Sequence, residues 1–295
     1  MAIPKRIKRY EGRYALVDNI PYQMPVSAKN SPALMAGFSC DWEKANALLP
    51  GNEIHAMKLP NGKAALLITV INYLDTSIGK YIEYSIAIGC THGSKPAPPI
   101  LNAMMMKTYG TGQYILDLPV SSEISVKGGK GIWGMPKHKA NLDFKVEDTM
   151  VSSQYEKDGQ FAFRIEINRP KSSSLKLKIG TVNYCRFRNM LMASYIYFNT
   201  KAGVNLFGKA KGNLYIGDHP RVSFLRDIDI NPDPFFTMFM PQANGILDDH
   251  FDCWFMTYDE PPVKMPEGLE SIYNLGLNED WLAPPSETDF EKYKI

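Results

Sequence analysis

A glycine-rich stretch, residues 128–140, contains the lysine best suited to covalent chemistry. Lys137 directly follows Pro136. Proline fixes its own φ and biases the residue before it, Met135, away from the helical region. We therefore expect a stiff backbone leading into Lys137, although a solvated lysine in a turn would show the same local sequence.

The neighbours of Lys137 favour an amine that can act as a nucleophile. Trp133 and Met135 are large apolar side chains that can exclude water from it. His138 and Lys139 place further positive charge nearby. Loss of water and a nearby like charge both favour the neutral amine, and only the neutral amine attacks a carbonyl carbon.

The same stretch resembles the active-site loop of the acetoacetate decarboxylase superfamily. In that loop a Gly-Arg-Glu-like helix leads into an apolar residue and then Pro-Lys-Lys, whose first lysine forms a Schiff base. Here residues 129–131 read Gly-Lys-Gly, and His138 replaces the second lysine. The resemblance implies that Lys137 is the Schiff-base lysine, activated by desolvation or by a neighbouring cation.

A second segment, residues 75–83, resembles the Asp-Thr-Ser…Gly…Tyr-x-Glu block of the same family. That block lies upstream of the lysine loop, and its final glutamate faces the lysine. The resemblance implies that Glu83 moves protons for Lys137, and that Tyr81 positions the substrate or Glu83. Alternation along a strand would put Tyr81 and Glu83 on one face, as it would for two solvent-exposed residues.

Two charged residues of the decarboxylase site have no counterpart at the matching positions. The family glutamate six residues before Asp-Thr-Ser corresponds to Thr69, and the family arginine after an asparagine corresponds to Ser31. Imine formation needs only the lysine and an acid or base. These departures favour imine chemistry other than decarboxylation of acetoacetate.

We therefore expect a Schiff-base-forming lyase that acts on a keto acid or a related carbonyl compound through Lys137. Aldol–dehydration chemistry and decarboxylation of a β-keto acid both remain open. A non-catalytic small-molecule binding protein on the same barrel is the alternative from another class. Besides Tyr81, we expect His138, Trp133 and Met135 to contact the substrate, and we expect no metal and no cofactor.

Composition argues against several other classes of protein. Lysine and arginine number 33 against 31 aspartates and glutamates, so no strong field favours nucleic acid. No apolar run follows the basic N-terminal segment, and none is long enough to cross a bilayer. The widely spaced cysteines predict buried free thiols: Cys40, Cys90, Cys185 and Cys253. We expect a cytoplasmic homo-oligomer that binds neither nucleic acid nor membranes.

Two acidic segments are weaker candidates for cation binding. Residues 227–233 begin like a calcium loop, but Pro232 stands where glycine is needed and Met238 where glutamate is needed. Residues 248–253 contain metal-capable side chains without a histidine cluster, so we expect a turn followed by a strand. Motifs for nucleotide binding and for serine hydrolysis are absent from the sequence.

The elements that must position these residues are mostly strands. Long apolar runs predict buried strands over residues 64–73 and 81–90. Further strands are predicted over residues 34–39, 114–118, 140–146, 151–156, 161–168, 175–185, 212–216 and 250–258, whereas residues 190–198 fit a strand or a helix.

Three helices are predicted from their end signals. Asp41 caps a helix over residues 42–49. Ser121 or Ser122 caps a second helix, which the glycines at 128, 129 and 131 weaken or end. The prolines at 98–99 open a third helix, which carries the methionines at 104–106.

The resemblance implies one α+β, β-rich domain over residues 1–295. In it, a large, mostly antiparallel sheet curls into a barrel or cone around a pocket, with few flanking helices. We expect the basic segment 1–13 and the acidic, proline-rich segment 261–295 to be peripheral extensions. The methionine- and aromatic-rich residues 235–240 and 251–256 are predicted to belong to the core, with the alternative that some of them line an apolar pocket.

Overall fold

The computed structural model of the protein describes residues 4–5, 11–99, 101 and 106–260. Those residues are mostly strand. In chain order the strands are β1 Arg13–Val17, β2 Ile20–Met24, β3 Val26–Cys40, β4 Ile54–Ala56, β5 Ala64–Tyr73, β6 Asp75–Thr76, β7 Tyr81–His92, β8 Gly112–Val120, β9 Lys137–Lys139, β10 Asn141–Leu142, β11 Lys145–Val146, β12 Met150–Lys157, β13 Gln160–Asn168, β14 Leu175–Phe187, β15 Met190–Leu206, β16 Gly212–Ile216 and β17 Pro234–Phe255. The helices among them are α1 Trp42–Ala47, α2 Glu123–Trp133 and the 3-10 helices Phe207–Lys209 and Ser223–Ile228.

Seven strands close into a barrel in the order β7-β5-β3-β17-β15-β14-β8, because β8 pairs again with β7. All of these pairings are antiparallel except that of β14 with β8. The edge of β8 opposite β7 is shared, since its first part pairs with β14 and its end pairs in parallel with β9. The predicted fold class, a β-rich and mostly antiparallel sheet curled into a barrel with few helices, is confirmed.

A second sheet packs against the outside of the barrel. It contains β10, β12, β13 and β16 in that order, with β11 beside β12. Apolar residues of β3, β5 and β7 share one buried core with apolar residues of β12 and β13, including Leu34, Ile68, Ile86, Val151, Phe163 and Ile165. This core fixes the barrel wall on the side away from the lumen.

The predicted strand over residues 140–146 is interrupted, and β10 and β11 are its two short parts. Asp143 lies between them, where its carbonyl oxygen accepts from Ser153 Oγ at 2.6 Å and its Oδ1 accepts from Gln154 N at 2.6 Å. The Asp143 side chain thus accepts a hydrogen bond from β12 that a backbone carbonyl group would accept in an uninterrupted strand. Residues 190–198, which fitted a strand or a helix, lie within β15.

Asp41 caps α1 as predicted, because its Oδ1 accepts from Lys44 N at 2.9 Å. The glycines were expected to weaken or to end helix α2, and the second of these expectations is wrong. The helix continues to Trp133 and ends at Gly134, whose φ is +63°. Glycine costs a helix only about 1 kcal/mol relative to alanine, and tertiary packing of the helix offsets that cost. Ser122 holds the N-cap position without a side-chain capping bond.

Three of the four cysteines, Cys40, Cys90 and Cys185, are buried free thiols. Cys253 is exposed, so the prediction that it is buried is wrong. It lies near the end of β17, where most side chains alternate between exposed and half-buried positions. In the described residues no helix is both long and apolar enough to cross a bilayer.

Several predictions fall wholly or partly outside the described residues. The helix expected to carry the methionines at 104–106 includes residues 102–105, which the structure does not describe. Of the N-terminal segment 1–13, the structure describes residues 4–5 and 11–13. The C-terminal segment 261–295 lies outside altogether.

Candidate active site

Lys137 is the first residue of β9 and is only 3% exposed. Gly134 ends α2 in the left-handed region, a conformation that costs glycine little, and the chain then turns back along the helix. Met135 N donates to Gly129 O at 3.1 Å, which ties this turn to the helix. Because Lys137 then pairs with Leu118 of β8, its side chain lies between α2 and the barrel wall.

Gly129 of α2 leaves the space that the Lys137 side chain occupies. A Cβ atom at position 129 would lie 2.3 Å from Lys137 Cδ and 2.7 Å from Cε. Real Cβ atoms do not approach other atoms that closely. A larger residue at position 129 would therefore force the Lys137 side chain out of this position.

The amine of Lys137 contacts a carboxylate and a hydroxyl. Its Nζ donates to Glu83 Oε2 at 2.6 Å and to Ser125 Oγ at 3.0 Å. The same Nζ lies 5.5 Å from the centre of the Tyr81 ring. Lys137 thus lies with Glu83 and Tyr81, which a second sequence segment predicted, on one side of the lumen.

Glu83 and Tyr81 share a face of β7, and Tyr73 lies opposite Tyr81 on β5. The two tyrosine rings stack with centroids 4.5 Å apart, and Tyr73 Oη donates to Glu83 Oε1 at 3.5 Å. Burial, and then the charge of Glu83, raise the pKa of both phenols well above the usual value for tyrosine. Both phenols therefore remain protonated hydrogen-bond donors at neutral pH.

These groups open onto a cavity of about 340 Å³ in the barrel. Most of its lining is apolar, with side chains such as Met35, Ile71, Ile115, Phe198, Met240 and Leu247. Tyr73 also lines it, as does Met135, one of the residues expected to contact the substrate. An apolar, partly enclosed site of this kind limits access of water and strengthens electrostatic interactions inside it.

His138 and Trp133 do not line this cavity. Successive strand residues point to opposite sides, so Lys137 faces the lumen while His138 faces the outer sheet. There His138 Nε2 contacts Asp117 Oδ1 at 2.9 Å. Trp133 is buried, and its Nε1 donates to Asp248 O at 2.8 Å.

The charge beside the amine differs from the sequence expectation. His138 points away and Lys139 is exposed, so neither supplies the expected positive neighbour. The charged group in contact with Lys137 Nζ is instead the carboxylate of Glu83. His138 is next to Lys137 in the sequence, but alternation along β9 puts the two side chains on opposite faces of the strand.

Asp117 is the centre of a buried polar cluster on the outer side of β8. Besides His138, it accepts from Tyr155 Oη at 3.1 Å and from Arg221 Nη1 at 3.3 Å. Burial, and then the charge of Asp117, raise the pKa of Tyr155. The cluster joins β8 and β9 to the outer sheet directly behind Lys137.

Thr69 and Ser31, the positions that correspond to charged residues in the family, lie in different surroundings. Thr69 lines the cavity and pairs across the sheet with Ser85, which also lines it. Within the described part of the chain, Ser85 Oγ is buried without a hydrogen-bond partner. Ser31 is buried outside the cavity lining, and its hydroxyl donates to Lys29 O at 3.0 Å.

Sequence reasoning missed Ser125 and the role of Gly129. Both lie on one face of α2, four residues apart, as the repeat of an α-helix requires. Reading the stretch as a helix that continues through its glycines would have revealed this face. Among the described residues, no group of three or more His, Cys, Asp or Glu side chains could hold a metal ion.

A family profile described as acetoacetate decarboxylase matches residues 9–188. The sequence has no significant match among curated proteins. An acetoacetate decarboxylase from Legionella pneumophila has a similar crystal structure, with a TM-score of 0.54 and 14% identity over 76% of this chain and 85% of that chain.

Two further solved structures are similar. The enduracididine biosynthesis enzyme MppR, complexed with the condensation product of pyruvate and imidazole 4-carboxaldehyde, has a TM-score of 0.53 and 11% identity over 78% of this chain and 88% of that chain. An acetoacetate decarboxylase-like enzyme from Sphingomonas wittichii has a TM-score of 0.51 and 13% identity over 79% of this chain and 94% of that chain. At these identities the similarity shows the fold alone.

Proposed function

This chain belongs to the acetoacetate decarboxylase family, and on that premise we propose that it is a lyase in which Lys137 forms a Schiff base with a carbonyl substrate. The observation that carries the proposal is the contact of 2.6 Å between Lys137 Nζ and Glu83 Oε2 at a largely apolar cavity. A nucleophile with a general base in hydrogen-bond reach is the arrangement that imine chemistry needs.

Glu83 serves as the proton carrier of this mechanism. It accepts a proton from the ammonium group, and the neutral amine then attacks the carbonyl carbon. The same carboxyl returns a proton to the carbinolamine oxygen, which leaves as water while the C=N bond forms. The amine loses two protons in all, and the carbonyl oxygen departs with two.

Ser125 and Tyr81 support these proton transfers. Ser125 Oγ lies 3.0 Å from Lys137 Nζ and can keep the amine directed at the carbonyl once Glu83 has accepted its proton. Tyr81 is a protonated phenol at the cavity beside Glu83, so it can donate a hydrogen bond to the substrate. Both side chains are buried, which limits their freedom to leave these positions.

The protonated imine then withdraws electrons from an adjacent bond. The family name favours cleavage of a C–CO2 bond, whereas the condensation product bound to MppR favours C–C bond formation followed by loss of water. Thr69 and Ser31, which carry no charge, support the second route for this chain. A non-catalytic binding protein would not need the paired Lys137 and Glu83.

Deuterium exchange tests the proposal without knowledge of the natural substrate. An imine interconverts with its enamine, so the enzyme should exchange the methyl protons of acetone in D2O, measured by NMR. We expect Lys137→Ala to lose this exchange and Lys145→Ala, which changes an exposed lysine, to retain it. Exchange that survives in Lys137→Ala, or that never exceeds the buffer rate, would contradict the proposal.

A further inference from the structure

We propose that the substrate is a neutral, extended and largely apolar ketone or aldehyde, and not a keto acid. This inference rests on the Schiff-base function proposed above and specifies the chemical class that the same site accepts. It follows from the charges, the length and the lining of the barrel cavity.

Among the described residues, the lining of the cavity offers no cation other than Lys137 for a substrate carboxylate. Among the described residues that line it, Lys137 is the single positively charged side chain and Glu83 the single negatively charged one. These two groups pair with each other at 2.6 Å. A keto acid would therefore bring a second carboxylate to a site whose cation, first the ammonium group and then the protonated imine, already pairs with Glu83.

The rest of the lining would not compensate a buried charge. Other polar side chains at the cavity are neutral hydroxyls and amides, such as Thr69, Ser85 and Gln113. A buried carboxylate is costly unless a cation pairs with it and hydrogen bonds satisfy its oxygens. A hydroxyl or carbonyl group on the substrate requires only one hydrogen-bond partner.

The cavity is longer than a small keto acid. Along β8 its lining runs from Leu118, opposite Lys137, to Gln113, a separation of five residues or roughly 16 Å at about 3.3 Å per residue. At the far end Gln113 Nε2 donates to Asn183 Oδ1 at 2.8 Å, and the described lining residues there carry no charged side chain. The side chains between the two ends include Ile115, Ile196 and Phe198.

The size of the cavity agrees with its length. Its volume of about 340 Å³ falls in the range of roughly 300–1,000 Å³ that is usual for pockets of drug-sized ligands. Pyruvate or acetoacetate would leave most of this apolar surface uncovered. An alkyl chain several carbons long would cover it and gain the free energy of burial.

Reductive trapping with a matched pair of ketones tests this inference. The probes are 2-nonanone and 8-oxononanoate, which have the same number of carbons and differ in a terminal methyl group against a carboxylate. Each is incubated with the full chain and cyanoborohydride, and the adduct is measured by intact mass. We expect half-maximal trapping of 2-nonanone at a concentration at least about tenfold lower than that of 8-oxononanoate.

The two possible failures are distinguishable. Equal trapping of the probes, or a preference for 8-oxononanoate, would overturn the inference and leave the Schiff-base function intact. The absence of an adduct with either probe, or an adduct that persists in Lys137→Ala, would overturn both.

A gain-of-charge variant makes the test sharper. Thr69 lines the cavity, so Thr69→Arg adds a cation there that cannot itself form an imine adduct. We expect this variant to trap 8-oxononanoate at about tenfold lower concentration than the wild type does. Thr69→Gln adds a longer polar side chain without charge, so this variant should still trap 2-nonanone at a lower concentration than 8-oxononanoate. If Thr69→Arg and Thr69→Gln change the trapping concentrations of the two probes equally, charge in the cavity does not determine the preference for 2-nonanone.

Discussion

Three residues, Gly129, Glu83 and Ser125, determine the position of the Lys137 side chain at the cavity. This side chain lies in the space that Gly129 leaves open, and its amine reaches both Glu83 and Ser125 from there. The lysine is thus held over its whole length rather than at the amine alone. Such restraint supplies part of a rate enhancement by keeping the nucleophile oriented toward the carbonyl.

Replacing Glu83 by glutamine should separate imine formation from proton transfer. Glu83→Gln keeps the side-chain shape but cannot carry a proton, so we expect deuterium exchange to fall by about 10²–10⁴-fold. Borohydride should still trap an adduct, more slowly, because the amine remains. Exchange at the wild-type rate in this variant would show that Glu83 is not the proton carrier.

Adding one methyl group to α2 should displace the lysine. Gly129→Ala places a Cβ 2.3 Å from Lys137 Cδ, so we expect loss of most reductive trapping. Gly131→Ala is the matched control, because its Cβ would meet Val17 of the β1–β2 hairpin instead. Both changes favour the helix by up to about 1 kcal/mol, so helix propensity does not separate them. Equal trapping by both variants would contradict the assigned role of Gly129.

At the scale of elements, the strand pair β8–β9 carries the site on one side and the Asp117 cluster on the other. Asp117 of β8 contacts His138 of β9. It also accepts hydrogen bonds from Tyr155 and Arg221, which connect the two strands to the outer part of the molecule. Removing Asp117 would leave the buried Tyr155 hydroxyl and the His138 ring nitrogen without their hydrogen-bond acceptor. The cluster therefore stabilises the strand that begins with Lys137.

Asp117→Ala should both destabilise the protein and weaken trapping. We expect a loss of roughly 1–3 kcal/mol in the free energy of unfolding for each buried donor left without its acceptor, measured with urea, because Asp117 is buried among its partners. Asp218→Ala removes an exposed ion pair with Arg226 and should cost no more than about 1 kcal/mol. Stability equal to the wild type in Asp117→Ala would show that the cluster does not hold β9.

The sequence predicted the elements and the paired residues of the site better than the directions of side chains. Apolar runs and alternation predicted β5, β7 and β13, since burial of one or both faces leaves a local signature. The contact between Asp117 and His138 joins residues 21 apart through the parallel pairing of β8 with β9, and no local pattern encodes that register. His138 was expected near the substrate because the sequence did not show that a strand begins at Lys137 and turns the next side chain away from the lumen.

At the scale of the whole molecule, the closed barrel keeps ionisable phenols out of water. Tyr73, Tyr81 and Tyr84 are buried in its wall, and burial raises the pKa of each well above 10. Closure of the sheet also explains why one cavity reaches from Lys137 to Gln113. Alternation and resemblance predicted this architecture, but the sequence alone did not give the length of the lumen, which depends on strand register.

Stability should fall as the pH rises above about 10. In the unfolded chain, tyrosine loses its proton near pH 10, whereas the folded protein keeps the protons of Tyr73 and Tyr81. The unfolded state then binds fewer protons, so the free energy of unfolding decreases with rising pH, by up to about 1.4 kcal/mol per pH unit for each such phenol.

Urea titrations at several pH values between 9 and 11 measure this slope. The double variant Tyr73→Phe, Tyr81→Phe should be less sensitive to pH over that interval, because phenylalanine releases no proton in either state. An identical slope in the variant and the wild type would show that these phenols do not contribute to the alkaline loss of stability.

The central claim is that Lys137 is the nucleophile, and the most direct measurement locates the trapped adduct on the chain. The protein is treated with 2-nonanone and cyanoborohydride, digested, and its modified peptide is sequenced by mass spectrometry. We predict that the reduced adduct lies on Lys137 and that Glu83→Gln still shows it there. An adduct spread over exposed lysines, with Lys137 unmodified, would contradict the account.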